Sequence, residues 1–261
     1  MSYTTLKLES DGTVATITLN RPEKRNAISA EMLEELPAAL AELERSAVRV
    51  VLLTGAGKAF CAGMDLEMLR AIATQSPEAH LADSQRMARL FLTLYEFPRP
   101  TIAAVNGPAI AGGCGLATLC DFVLAVPEAQ FGYTEVRIGF LPAIVSVFLR
   151  RQVGERVARD LLLTGRLLEA AEALRLGLIN ELVPAERLGD RARELASSLL
   201  VNSPTSVERT KALLRDLARK SLERELALAI RENAAIRTTP DFREGITAFL
   251  EKRKPVWRGP A

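Results

Sequence analysis

Residues Thr101–Gly115 read TIAAVNGPAIAGGCG. Thr101–Val105 is apolar and partly β-branched with no polar alternation, which predicts a strand buried on both faces. Asn106–Gly113 is a glycine-rich turn, and the spacing predicts a helix over Cys114–Leu119. Strand, small-residue turn, helix is the local pattern of an α/β protein. It puts the turn at a strand's carboxyl end, where open α/β sheets hold ligands. The same pattern stands earlier in the chain. Val48–Leu53 is an apolar run ended by Thr54-Gly55, followed by the loop Gly55–Met64 (GAGKAFCAGM) and a helix predicted over Asp65–Ala73.

Working outward, Leu6–Leu8 and Val14–Leu19 are strands joined by Asp11-Gly12, a strong hairpin turn. The polar stretch Asn20–Asn26 (NRPEKRN) is a loop. Ser29 caps a helix whose apolar positions Met32, Leu33, Leu36, Leu40 and Leu43 follow the 3.6 period, with a kink expected at Pro37. A helix over Glu78–Tyr95 and a strand over Phe122–Ala125 follow. Beyond Leu141 the pattern is helical, apart from a short strand at Ile179–Val183. Helices are expected over Ser203–Lys220, Leu222–Arg237 and Asp241–Arg253. No linker or low-complexity segment intervenes, which gives one α/β unit with an appended helical layer.

The 261 residues are 48% hydrophobic, enough for a substantial core, and 34 basic against 32 acidic side chains leave a net charge of +2. That balance gives no electrostatic case for nucleic acid or acidic membranes. The stretch from Ser203 carries 13 basic and 8 acidic residues, interspersed as on a solvated helix face. Cys61, Cys114 and Cys120 form no disulfide framework or zinc pattern. His80 is the one histidine, which argues against a His-rich metal site, a Ser-His-Asp triad and histidine acid–base chemistry; its polar surroundings, Gln75–Gln85, predict a surface position. The start, Met1-Ser2-Tyr3-Thr4-Thr5, is unlike a secretory signal, and no apolar run approaches the ~20 residues that span a bilayer. A soluble, cytoplasmic protein is expected.

The two loops suggest one kind of chemistry. Small residues let backbone approach a ligand, and amides at a helix start carry partial positive charge. Two such loops side by side would aim two N–H groups at one oxygen, as an oxyanion hole does. The same glycines also serve tight turns and close packing, and spacing leaves both readings open. Neither loop has the dinucleotide or P-loop spacing, and no Gly-x-Ser-x-Gly elbow occurs.

Ile102–Gly107 through Gly112-Gly113-Cys114 and Cys120-Asp121 resembles the signature of the enoyl-CoA hydratase/isomerase (crotonase) superfamily. Lys58–Leu66, the Asn20–Ala27 loop, Ala129–Gly132 with Glu135, and the ending Phe249–Pro255 resemble that superfamily in the same order. The resemblance implies a crotonase-like spiral of ββα units (residues 1–200) with a helical C-terminal region (201–261) used in trimers or hexamers. Leu222, Leu226, Ala229, Ile230 and Ile236 suit such an interface and suit an internal core equally well. It implies an acyl-CoA thioester as substrate, with coenzyme A part of that substrate and no separate cofactor or metal. The oxyanion donors would be the amides of Met64 and Gly112. Ala62 and Leu66 would contact adenine through backbone. Lys58, Lys24 and Arg25 are candidates near the CoA phosphates, or else solvated surface.

The catalytic carboxylates are where the chain departs from the superfamily. Of the two glutamates its hydratases share, one position matches Glu135 and the other falls on Gly115. Glu135 lies in an otherwise apolar or small stretch, so desolvation should raise its pKa toward neutrality, unless it pairs with Arg137 or a nearby base. With one carboxylate, hydration needs water held by another group, such as the Tyr133 hydroxyl, a backbone group or a second water. Moving a double bond needs only one base. The resemblance, above all over Thr134–Pro142, lies nearer to hydratases, so an enoyl-CoA hydratase (a carbon–oxygen lyase) leads and an isomerase follows closely. A non-catalytic CoA or RNA binder is a third reading, and the low aromatic content weighs against RNA.

Overall fold

In the computed structural model, which describes residues 3–72 and 75–259, the chain opens with a hairpin of Leu6–Ser10 (β1) and Val14–Leu19 (β2). Ser29 then caps Ala30–Glu44 (α1), accepting the Met32 N–H. Val50–Gly55 (β3), Leu66–Ile72 (α2), Pro77–Glu96 (α3) and Thr101–Val105 (β4) follow. Next come Ala109–Ile110 (β5), Gly112–Thr118 (α4), Phe122–Ala125 (β6) and Gln130–Gly132 (β7). The rest is mostly helical: Ala143–Thr164 (α5), Leu168–Glu169 (β8), Ala170–Arg175 (α6), Glu181–Leu182 (β9) and Leu188–Leu200 (α7). Pro204–Ala235 (α8) and Pro240–Leu250 (α9) end it.

The main sheet has the order β1-β2-β3-β4-β6-β9, antiparallel between β1 and β2 and parallel elsewhere. A second sheet, β5-β7-β8, stands beside it. The central strands are buried over residues 50–53 of β3 and all of β4, as continuous apolar runs require. Because β3 and β4 run parallel in register (Leu53 beside Ala103), their following loops emerge side by side. α8 packs across α3 and α5.

Some expectations need correction. α1 runs as one helix through Pro37, which is half-buried within it. The helices expected over Ser203–Lys220 and Leu222–Arg237 are a single element, α8. Its interior has neither glycine nor proline, and Ser221 bonds back to the Ala218 carbonyl without breaking it. Ala73, the expected end of the helix from Asp65, lies outside the described residues, as do Met1 and Ser2 of the N-terminal reading. His80 is not on the surface: it is buried, with Nε2 2.9 Å from the Ile72 carbonyl oxygen. Of the polar stretch around it only His80, Asp83 and Ser84 are buried, while Ser76, Glu78 and Gln85 are exposed. Leu222, Leu226 and Ala229 are buried in the chain's own core, while Leu213, Leu214, Leu217 and Leu228 of α8 are exposed. Among the described residues no helix is long and apolar enough to cross a membrane.

Candidate active site

The loops after β3 and β4 are pressed together by glycine. A Cβ on Gly107 would lie 2.2 Å from the Lys58 carbonyl oxygen, and one on Gly113 2.2 Å from that of Cys61. Asn106 stitches the pair, accepting the Gly55 N–H at 3.2 Å and donating to the Gly57 carbonyl at 2.9 Å. Close packing, one of the two readings of these glycines, is therefore real. Among the described residues the Met64 and Gly112 amides are left without backbone partners, as the other reading needs. Ile28 bridges the loop after β3 through the Gly63 carbonyl and the Asp65 N–H, which leaves the Met64 N–H out of the pairing. The Gly112 N–H opens α4, where a helix offers no partner. Ala111, just before it, is held at φ 52°, ψ −125°, a conformation costly for a residue with a Cβ. A Cβ on Gly63 would lie 3.8 Å from the Gly112 nitrogen, so the two amides are neighbours.

Met64 and Gly112 line one cavity of about 530 Å³. Glu135 lines it too, on a short 3₁₀ turn, Glu135–Ile138, that follows β7. Gly139 closes that turn at φ 66° and packs against α9: its Cβ would lie 2.3 Å from the Asp241 carbonyl oxygen. From α9, a Cβ on Gly245 would lie 2.2 Å from the Ile138 carbonyl oxygen. Backbone thus meets backbone beneath the glutamate. Glu135 is buried, its Oε2 has no hydrogen-bond partner, and Arg137 is exposed. Burial pushes its pKa up to about 7, opposed only by its own backbone N–H. The site is therefore two free amides and one carboxyl poised to gain or lose a proton near neutrality.

Comparison with known proteins gives the family and the fold. The sequence model of the family described as enoyl-CoA hydratase/isomerase matches residues 9–260. The chain belongs to that family. It is 51% identical over 245 residues, 94% of this chain and 97% of the relative, to a Thermus thermophilus protein named, provisionally, an enoyl-CoA hydratase. It is 35% identical to the short-chain-enoyl-CoA hydratase of Clostridium acetobutylicum, covering 97% of each. A solved enoyl-CoA hydratase/isomerase from Xanthobacter autotrophicus superposes with a TM-score of 0.89 at 33% identity, covering 100% of both chains. The crotonase-type α/β spiral with its helical C-terminal region is thereby the fold of this chain.

Within this crotonase fold the expected site residues divide. Ala62, Met64, Leu66, Lys24, Arg25, Gly112 and Glu135 all line the cavity. Glu23, Lys24 and Arg25 are exposed there, so they form its mouth. Three residues do not line it. Lys58 is exposed on the far part of its loop, its carbonyl wedged against Gly107. The Tyr133 side chain is buried behind the wall, its hydroxyl 3.1 Å from Thr118 Oγ1. Gly115 faces packed hydrocarbon: a Cβ there would lie 2.7 Å from Val145 Cγ1 and 3.3 Å from Phe91 Cε1. The space a second carboxylate needs is filled by side chains.

The sequence reading missed the residues that hold the mouth. Buried Asn26 donates to the Ala56 and Ala59 carbonyls at 2.8 Å and accepts the Arg21 N–H at 2.9 Å. Arg21 pairs with Asp65 at 2.8 Å. Burial alone would raise the Asp65 pKa, but the Glu67 N–H and Arg21 outweigh it and hold it low. A left-handed Asn26 (φ 54°) in a proline-broken loop was the available signal. Asn233 and Arg237 also line the cavity and were missed as helix-tail residues.

Proposed function

We propose that this chain is an enoyl-CoA hydratase-like enzyme that binds an acyl-CoA thioester across the cavity and stabilises its enolate. The observation that carries this reading is the convergence of the Met64 and Gly112 amides with buried Glu135 on one cavity. The amides accept the thioester oxygen as charge grows on it, and loss of one such donor typically costs ~10²–10³ in rate. Glu135 moves the proton at the adjacent carbon. A pKa of about 7 lets one group serve both as base and as acid. Ala62 and Leu66 take the adenine through backbone, and Lys24 and Arg25 the CoA phosphates, at the mouth. The reaction moves protons and water without changing oxidation state, so CoA carried by the substrate is the only coenzyme in this reading.

A second reading, double-bond isomerisation with Glu135 as the single shuttle, is favoured by the packing of Val145 and Phe91 over Gly115. Incubating a panel of enoyl-CoAs with the enzyme in H₂¹⁸O and weighing the products separates the two. Label uptake means hydration; unchanged mass with a moved double bond means isomerisation; neither would sink both. Residues 201–261 serve assembly in this reading, a homotrimer or hexamer, supported by the exposed leucines of α8. Three buried free thiols suit a reducing cytoplasm.

A further inference from the structure

At the inner wall of the cavity, away from its charged mouth, lies a buried polar cluster that the reaction does not use. Arg237, in the turn after α8, is 2% exposed. It donates from Nη2 to Asn233 Oδ1 at 2.9 Å, and Nη1 stands 3.4 Å from Asp83 Oδ2. Ser84 donates to the same Asn233 oxygen at 2.8 Å, and Asn233 Nδ2 donates to the Leu141 carbonyl at 3.3 Å. Phe140 covers one face of the guanidinium, its ring centroid 5.4 Å away. Asp83 is shared, because Arg86 binds its other oxygen. Arg86 is half-exposed, so water shares its charge, while buried Arg237 keeps only a 3.4 Å contact to the shared carboxylate. Arg237 Nε is buried without a partner.

A guanidinium carries five N–H donors in a fixed fork, and a buried donor left unpaired is destabilising. The wall around Arg237 is otherwise apolar where Leu69, Phe140, Leu141 and Ile144 line it. A plain hydrocarbon chain would leave the Arg237 Nε–H unanswered and its charge met only by the 3.4 Å contact to Asp83. We infer that the inner wall binds the far end of an acyl chain that terminates in a carboxylate, with Arg237 as the residue that pairs with it. The substrate is then an enoyl-CoA derived from a dicarboxylic acid. This rests on the CoA-ester reading above, and binding of unreactive saturated esters tests it without requiring turnover.

Isothermal titration of the whole protein should compare glutaryl-CoA with pentanoyl-CoA and adipyl-CoA with hexanoyl-CoA. A charge-assisted pair should make at least one carboxylated ester bind about tenfold or more tightly than its alkyl match. R237M should erase that difference while leaving the alkyl ester's affinity close to wild type; R237K, keeping charge but not the fork, should retain part of it. Circular dichroism checks that both variants fold, and the wild-type comparison stands without them. Equal binding within both pairs, or a folded R237M that keeps the preference, overturns the inference. Binding of none of the four esters overturns the CoA reading and the inference with it.

Discussion

Glu135→Gln removes the proton carrier and keeps its volume, so turnover should fall by about 10²-fold or more while a saturated CoA ester binds as before. A stopped activity assay beside a titration checks both halves. The same change should stabilise the fold. Relative to an ordinary glutamate at 4.5, folded Glu135 holds its proton up to about 7, so stability falls as pH rises through that window. The cost is fully present above it, at about 3 kcal/mol. Urea melts at pH 8 should therefore show Glu135→Gln more stable than wild type, with the gain vanishing below pH 4. An equal gain at both ends would mean the glutamate is not held neutral by burial. At Gly112, proline deletes the N–H and alanine keeps it. Gly112→Pro should lose roughly 10²-fold in kcat, whereas Gly112→Ala should lose much less. Parallel losses in two folded proteins would take that amide out of the hole. Glu135 was legible because a lone acid in a small, apolar stretch is expensive unless used. Arg237 was not, since a charge near a helix end normally faces water and only the tertiary packing of α3 turns Asp83 toward it.

The packing of α5 on α4 decides what can stand at Gly115. Gly115→Glu alone should overpack against Val145 and Phe91, costing ~1–3 kcal/mol. Paired with Val145→Ala, the new carboxyl gains room in the cavity wall and supplies a second group to orient water. The ratio of crotonyl-CoA hydration to isomerisation should then rise above wild type. A flat ratio in the folded double variant would mean water is positioned from elsewhere. Elements with a strong period were readable from sequence: β3 and β4 as unbroken apolar runs, α1 as a stripe on a 3.6 repeat. β5, β7 and β8, at two or three residues each, are too short to show alternation. The two helices expected on either side of Ser221 are one, because a serine that bonds a carbonyl of its own helix is no stop.

For the whole molecule, Leu213, Leu214 and Leu217 stand exposed together on α8, apolar surface of the kind that marks an interface. Static light scattering at micromolar concentration should find a particle several times the 28.4 kDa chain, and Leu217→Lys should lower that mass. A wild-type particle of chain mass would dismiss the assembly. One architectural fact has a longer reach. The amides and the glutamate come from segments before Phe140, whereas Asn233, Arg237 and Phe249 reach the same cavity from the C-terminal helices. Descent can therefore edit which molecules are admitted without rewriting how they are turned over. Exchanging residues 204–250 with a relative's should transplant its chain preference onto an unchanged reaction, provided glycine is kept at 139 and 245, where the two inheritances touch backbone to backbone.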